Sequence, residues 1–345
     1  MAKYVIEDTT LTNIASAIRE KTGKSELLLP SQMPSEIQSI SSGGEDFEIN
    51  DASYLFYNGA RINIINDLLS RIKSPKSFSY CFYGSFSSIK QETLDLSTID
   101  MSNCSTFHNM FYNTNFTPSV TLKNIVLPNN LKSAIDCYGM FRGVYLPSLD
   151  LSSIIFENII NAYSMFENAK INNLILPNLK VNNASRMFYQ FGEDTYDDTV
   201  PFNDTLDISS IDFSECTAIS SFIRFSEFVK VLHNNFDCSK VTDVSNFASN
   251  NPDLKNLCPL LNLGKGYTQK SANYNSYKLD LSPCVNLTHD SLLGIINGLY
   301  DLNLTYDVAG GGTLYTQQLV LGSTNLAKLT EDEIAIGTNK GWVIS

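Results

Sequence analysis

The chain has 345 residues, with 24 Lys and Arg against 36 Asp and Glu, for a net charge of −12. At 43% hydrophobic and 17% charged it has the apolar mass of a packed chain of roughly two domains and too few charges for a disordered one. The acidic balance, with no Lys/Arg cluster in the sequence, argues against nucleic-acid and anionic-membrane partners, and no run approaches the roughly 18 apolar residues of a membrane span.

The N-terminus, Met1 to Asp8, has no basic stretch followed by an apolar one, so the expectation is a chain without a secretory signal, made in a cytoplasm. Thr10 or Thr12 caps an expected helix that carries Leu11, Ile14, Ala15 and Ile18 on one face and stops at Gly23. Pro34 opens a second with Ile37 and Ile40, and Ser41-Ser42-Gly43-Gly44 reads as a linker. The face formed by Leu11, Ile14, Ile18, Ile37 and Ile40 is too small to bury itself, which predicts self-association or docking to another chain. The run Leu11 to Gly23, followed by Leu29-Pro30, Met33, Ile37, Ile40 and two glycines, resembles an N-terminal module of tail and appendage proteins of phages that infect gut and Gram-positive bacteria. That resemblance implies attachment to other virion proteins through residues 1–44, and a final location in the virion.

Residues 45–285 are organised by a repeat, with 45–74 as its expected N-terminal cap. Short alternating runs recur as Leu94-Asp95-Leu96-Ser97, Ile125-Val126-Leu127-Pro128, Leu149-Asp150-Leu151-Ser152, Leu174-Ile175-Leu176-Pro177, Leu206-Asp207-Ile208-Ser209 and Leu279-Asp280-Leu281-Ser282. Alternation makes most of these short strands, and the gap before Leu279 holds room for two weaker copies. Between them sit apolar triplets spaced three apart, such as Cys104/Phe107/Met110-Phe111, Ala134/Cys137/Met140-Phe141, Ile159/Ala162/Met165-Phe166 and Val181/Ala184/Met187-Phe188. Cys216/Ile219/Phe222 and Val241/Val244/Phe247 continue the series, and Pro75/Phe78/Cys81-Phe82 is a degenerate first copy. A spacing of three predicts one helical turn, of 3₁₀ or short α type, in each repeat. Such units bury their apolar faces only against copies of themselves.

The strand spacing, with the Asp-x-Ser lead-ins Asp100-Met101-Ser102, Asp212-Phe213-Ser214 and Asp237-Cys238-Ser239, resembles the irregular leucine-rich repeats of the BspA-like class over roughly residues 75–285. The fold class this implies is an α/β solenoid of short parallel strands and short helical turns.

Seven cysteines, odd in number and without a CxxC pair, are expected as free buried thiols, and Cys104, Cys137 and Cys216 fall on apolar rungs. His108, His233 and His289 lie in different repeats, which disfavours a metal site or a catalytic triad. Gly310-Gly311-Gly312 lacks the Lys-Ser/Thr of a phosphate loop and reads as a turn. Glu193, Asp194, Asp197 and Asp198 crowd one inserted loop; they read as a solvated acidic loop or loose Ca²⁺ site before they read as a glycosidase pair. The residues therefore indicate no catalytic group, no metal and no cofactor. Tyr267, Gln269, Asn273, Tyr274, Asn275 and Tyr277 concentrate the aromatic and amide side chains that binding loops favour, and are the candidate contact residues.

Residues 286–345 form a closing unit: a helix over Leu292, Leu293, Ile295, Ile296 and Leu299, a strand at Leu319-Val320-Leu321, and a helix opened by a capping box at Thr330 and Glu333. This helix–strand cap resembles C-terminal units of phage-encoded repeat proteins. The function these resemblances imply is a phage tail, baseplate or fibre component that presents its repeats to a host-surface glycan or protein. The alternatives are a bacterial surface adhesin of the BspA-like class and a glycan-cleaving tail enzyme.

Overall fold

In the computed structural model the chain divides into two compact units, Met1–Phe47 and Glu48–Ser345. The structure describes residues 18, 51–58, 72, 74–85, 92–114, 122–157, 159–192, 203–227, 229–234, 236–266, 277–305 and 317–345. In the first unit Ile18 is helical and buried; Leu11, Ile14, Ile37 and Ile40 lie outside the described residues.

The second unit is built from short strands: β1 (Thr93–Asp95), β2 (Asn124–Val126), β3 (Tyr145–Asp150), β4 (Ile159–Asn161), β5 (Lys170–Ile175), β6 (Leu179–Asn183), β7 (Thr205–Asp207) and β8 (Ile211–Asp212). There follow β9 (Val231–His233), β10 (Phe236–Asp237), β11 (Asn256–Leu257), β12 (Leu260–Leu261), β13 (Lys278–Asp280), β14 (Gln318–Val320) and β15 (Val343–Ile344). They form small sheets of two or three strands, and every pairing among the described residues is parallel. The register sets apolar residues side by side: Leu94 beside Ile125, Leu149 beside Leu174, Leu206 beside Leu232, and Leu232 beside Leu257. In Leu94-Asp95-Leu96 both leucines are buried and the aspartate is exposed, as strand alternation requires. β9 and β11 fill the long gap before Leu279.

Each strand leads to a turn, and here the structure corrects the expected helical turn. Residues 52–58, 78–85, 107–114, 137–144, 162–169, 184–191, 219–226 and 244–250 are chained β-turns rather than helix. In a helix every N–H bonds within its own segment. Here alternate N–H groups close turns within the coil, as Cys81 and Tyr83 do onto the carbonyls of Phe78 and Tyr80. The others cross to the next coil: Phe78, Tyr80, Phe82 and Gly84 donate to the carbonyls of Thr106, His108, Met110 and Tyr112. The same four crossings recur at each following interface, as far as Ile219, Ser221, Ile223 and Phe225 onto Asp243, Ser245, Phe247 and Ser249.

This pattern places two left-handed residues four apart in every turn, for example Asn109 and Asn113, Gly139 and Gly143, Ser164 and Asn168, Arg186 and Gln190. Gly139 and Gly143 also give room to the preceding coil, since a Cβ at either would lie 2.1 or 2.3 Å from the amide oxygen of Asn109 or Asn113.

The turns send Met, Cys and Phe inward. Phe56, Phe82, Phe111, Phe141, Phe166 and Phe188 form a continuous stack, with successive centroids 5.2–5.5 Å apart and planes within 13°. At Phe222 the ring moves to the position that Met occupies in earlier coils; it meets Phe188 at 76°, and parallel stacking resumes with Phe247. Polar groups at the turn ends answer buried carbonyls: Ser85, Thr114 and Ser226 donate to Phe56, Phe82 and Phe188. All seven cysteines are free and buried, and burial pushes the thiols of Cys104 and Cys284 up to about 12.

The last part of the second unit carries helices α1 (His289–Gly298), α2 (Gly322–Leu326) and α3 (Glu331–Asn339), with a 3₁₀ turn at Leu302–Thr305. Thr288 caps α1, and Thr330 with Glu333 makes the capping box of α3. Lys340 donates to the carbonyls of Ile296, Asn297 and Leu299 at the end of α1, where backbone acceptors and the helix dipole both favour a cation. β13, β14 and β15 pair in parallel beside these helices, with Leu279, Leu319 and Ile344 in register.

Met140 is fully buried, so Met140→Asp places a charge with no partner in the apolar row; its cost of several kcal/mol will appear as a lowered or lost thermal transition by circular dichroism. The Asp-x-Ser lead-ins are Asx turns: the Ser97, Ser102, Ser152 and Ser214 side chains and N–H groups hold Asp95, Asp100, Asp150 and Asp212 below the usual carboxylate range. Depressed folded values make this stabilisation complete above about pH 4 and lost as pH falls through the folded values. The melting temperature should therefore drop on acidification below about pH 4, and less so in a variant with Asn at these four positions, which keeps the acceptor without the charge.

Candidate functional site

In most turns the residue after the inward Phe, and one two or three before it, stand toward the surface, and the stacking of coils aligns them into two lanes. The first lane runs Tyr54, Tyr80, His108, Tyr138, Tyr163, with centroids 4.9, 5.2, 4.4 and 5.3 Å apart. The second begins with Tyr57, Tyr83 and Tyr112, at 4.7 and 4.8 Å. Tyr54 faces Tyr57 across the lanes at 5.6 Å, and Tyr80 faces Tyr83 at 5.8 Å. Most of these rings are half-buried; Tyr54, at the start of the row, is 57% exposed. Because neighbouring rings cover one another's faces, a partner meets their edges. Burial raises the Tyr83 and Tyr138 phenols, which therefore stay protonated and can donate.

The second lane continues as charge at Arg142 and Arg224, and Arg186 leans into it from the position two before Phe188. Arg142 lies over the Tyr112 ring at 5.0 Å, Arg186 over Tyr189 at 4.0 Å, and Arg224 over Phe225 at 4.7 Å. Between the first two sits Glu167, 1% exposed, with one oxygen 2.8 Å from both Arg142 Nη2 and Arg186 Nη2. Arg186 Nε donates to the other oxygen at 3.0 Å, and so does the Ser164 hydroxyl. Three coils are thereby joined through one buried carboxylate. The sequence holds six arginines, and the three among the described residues all stand in this strip. Its fixed rings and charges suit it to grip an extended polar partner along the stack.

The sequence singled out other residues. Of the contact candidates, Tyr277 is buried, edge-on to Trp342 at 6.3 Å, which makes it a core residue packed against the closing unit. Tyr267, Gln269, Asn273, Tyr274 and Asn275 lie outside the described residues, as do Glu193, Asp194, Asp197 and Asp198. The histidines are separate: His108 is in the first lane, 3.5 Å from Asp136; His233 is near Asp207; His289 bridges Asp290 and Glu333. Among the described residues no three His, Cys, Asp or Glu side chains converge. A shallow hollow of about 350 Å³ lies beside β9 and β11, lined in part by Ser209, His233, Asn234 and Cys258. Burial pushes the Cys258 thiol up to about 12, far from a reactive thiolate.

The lanes went unread in the sequence, although a signal was there. Tyr or His stands two or three residues before Phe, and Tyr, Arg or Glu stands directly after it, in Tyr80-Cys81-Phe82-Tyr83, His108-Asn109-Met110-Phe111-Tyr112 and Tyr138-Gly139-Met140-Phe141-Arg142.

Comparison with known families supports the repeat. A family model described as "Mycoplasma protein of unknown function, DUF285" matches residues 76–198 and again residues 135–258, together more than half of the chain. The second match starts two coils later, a shift from the turn beginning near Ser77 to that near Asp136. No curated protein and no solved structure matches the chain.

Replacing Glu167 with Gln removes the charge that holds Arg142 and Arg186 together. Because both guanidiniums keep about a third of their surface in water, the expected loss is about 3 kcal/mol, at the low end for a broken buried pair. Urea unfolding measures it, and an unchanged midpoint would show that the bridge contributes nothing.

Proposed function

We propose that this chain, which belongs to the DUF285 family, is a recognition protein: an irregular leucine-rich-repeat solenoid of the BspA-like type whose turn face binds a macromolecule on a bacterial host surface. The observation that carries the reading is the double lane of Tyr80, Tyr83, His108, Tyr112 and Tyr138, continued by arginines over rings. Tyrosine offers a large rigid contact at low entropic cost, and arginine adds directed hydrogen bonds, the combination that dominates binding hot spots. Such rings have no part in holding the core, which the inward Phe stack already fills.

The place of action is read from residues 1–44. Their likeness to the attachment module of phage tail and appendage proteins supports a virion component, anchored through Leu11, Ile14, Ile18, Ile37 and Ile40 and free to present its repeats to the host. The second reading, a cell-surface adhesin, is favoured by one observation: the description of the matching family names a Mycoplasma protein.

Mass spectrometry of purified particles separates these readings, because a virion component co-purifies with particles and a cellular adhesin does not. For the binding face, purified full-length protein should adhere to intact host cells. Tyr83→Ala together with Tyr112→Ala should lower that adhesion about tenfold or more, with an unchanged melting temperature. Adhesion equal to the unaltered protein would remove the strip from the reading.

A further inference from the structure

We infer that the strip takes an acidic glycan, a sugar chain bearing carboxylate or phosphate groups, with Arg224 as its anchoring cation; this rests on the recognition reading above. The chain carries a net −12, yet Arg142, Arg186 and Arg224 gather on one face although they lie far apart in sequence. Glu167 offsets one of these charges, so the four groups leave a local positive excess.

Arg224 differs from the other two. Among the described residues no carboxylate pairs with it, and its Nε is buried without an acceptor. Its Nη groups have no partner among the described residues and are not sealed as Nε is, so they are the donors an oxyanion arriving beside the Phe225 ring would meet. A planar guanidinium fork matches carboxylate and phosphate oxygens better than an ammonium does.

Spacing extends this from an ion to a chain. Arg142, Arg186 and Arg224 stand on the fourth, sixth and seventh of the eight described turns. Arg142 and Arg186 lean toward each other, each 2.8 Å from one Glu167 oxygen and so with their Nη2 atoms at most about 5.6 Å apart, and Arg224 stands one coil, about 4.8 Å, beyond Arg186 along the stack. A polymer with acidic groups at such intervals meets all three. Nucleic acid fits poorly, since its bases need open ring faces and those of the lanes cover one another. An acidic peptide in extended form seeks a sheet edge or pockets for alternate side chains, and the turn face is made of ring edges and hydroxyls instead. Sugar hydroxyls are the natural partners of those edges.

The test titrates the full-length protein calorimetrically at low salt with oligogalacturonate, its methyl ester, a glycerol-phosphate teichoic acid, poly-aspartate and oligo-dT. The carboxylate or the phosphate glycan, or both, should bind at least tenfold more tightly than the methyl ester, and which of them does so identifies the source of the anion. Arg224→Gln should weaken that binding about tenfold without moving the melting temperature. Should Arg224→Gln melt early, Arg224→Lys, which keeps the charge and loses the fork, is expected to bind several-fold more weakly with its fold intact.

Equal binding of ester and acid, or no effect of either Arg224 variant, would overturn the inference, as would poly-aspartate or oligo-dT binding as tightly as the glycan. Failure of both acidic glycans, with cell adhesion still lost on changing Tyr83 and Tyr112, would sink the ligand class and leave the recognition reading standing. Adhesion indifferent to the tyrosines would remove that reading itself.

Discussion

Alternate backbone N–H groups of each turn leave their own coil and bond the next, as Tyr80, Phe82 and Gly84 do toward His108, Met110 and Tyr112. To aim them there, two residues per turn adopt left-handed angles, at about 1–2 kcal/mol each for a side chain other than Gly or Asn. Tyr80, Ser164, Arg186, Ser221 and Phe225 all accept that strain. They do so because the coils on either side hold the conformation in place: hydrogen bonds cross every interface, and the Phe stack fills the space beneath. A coil taken alone would keep the strain and lose both compensations. Stability is therefore a property of adjacent pairs of coils, as expected for one-dimensional repeat arrays.

That constraint also produces the surface. When Phe and the Met or Cys before it point inward in each turn, the position after Phe lies in the outer lane, and a core period of one coil becomes a surface period of about 4.8 Å. The inward position barely varies, from Phe82 through Phe111, Phe141 and Phe166 to Phe188. The position after it changes freely, from Tyr83 to Tyr112, Arg142, Glu167 and Tyr189. Core and surface are thus nearly independent: the array keeps its shape while the outer lane acquires whatever chemistry a partner demands. Glu167 is the exception, an outer-lane residue that is buried, and it is the one that links the charges of three coils.

Much of this was legible in the sequence. The Leu-Asp-Leu runs became parallel strands and the Met-Phe steps became core, because each is a periodic pattern whose burial the neighbouring copies enforce. The weak copies near Leu232 and Leu257 formed strands because a strand already laid at Leu206 gives them a template. The turn was misread because a spacing of three belongs both to a 3₁₀ helix and to β-turns in series. Residues that tolerate left-handed angles at a spacing of four, such as Asn109 and Asn113, Gly139 and Gly143, or Asn246 and Asn250, would have separated the two. Tyr277 was chosen on composition, and its place at the head of β13 turns it inward instead. The arginine cluster was hidden for a different reason: Arg142, Arg186 and Arg224 become neighbours only when the coils are aligned turn on turn, across repeats of unequal length.

The electrostatics of the strip rest on a contrast of range. Out to a Debye length, about 8 Å at physiological salt, an approaching anion senses the acidic body and is repelled by it. Within contact distance it senses Arg142, Arg186 and Arg224, each held over a ring that excludes water from one side and strengthens the local field. A polyanion that cannot place its charges opposite those three cations gains nothing at contact to offset the repulsion it met on the way. A chain whose spacing fits gains charge-assisted hydrogen bonds at each cation, including Arg224, which no carboxylate among the described residues pairs. The net negative charge therefore acts as a filter, and discrimination among anionic chains arises from the spacing of the three cations, which the shared Glu167 sets for Arg142 and Arg186 and the rise per coil sets for Arg224.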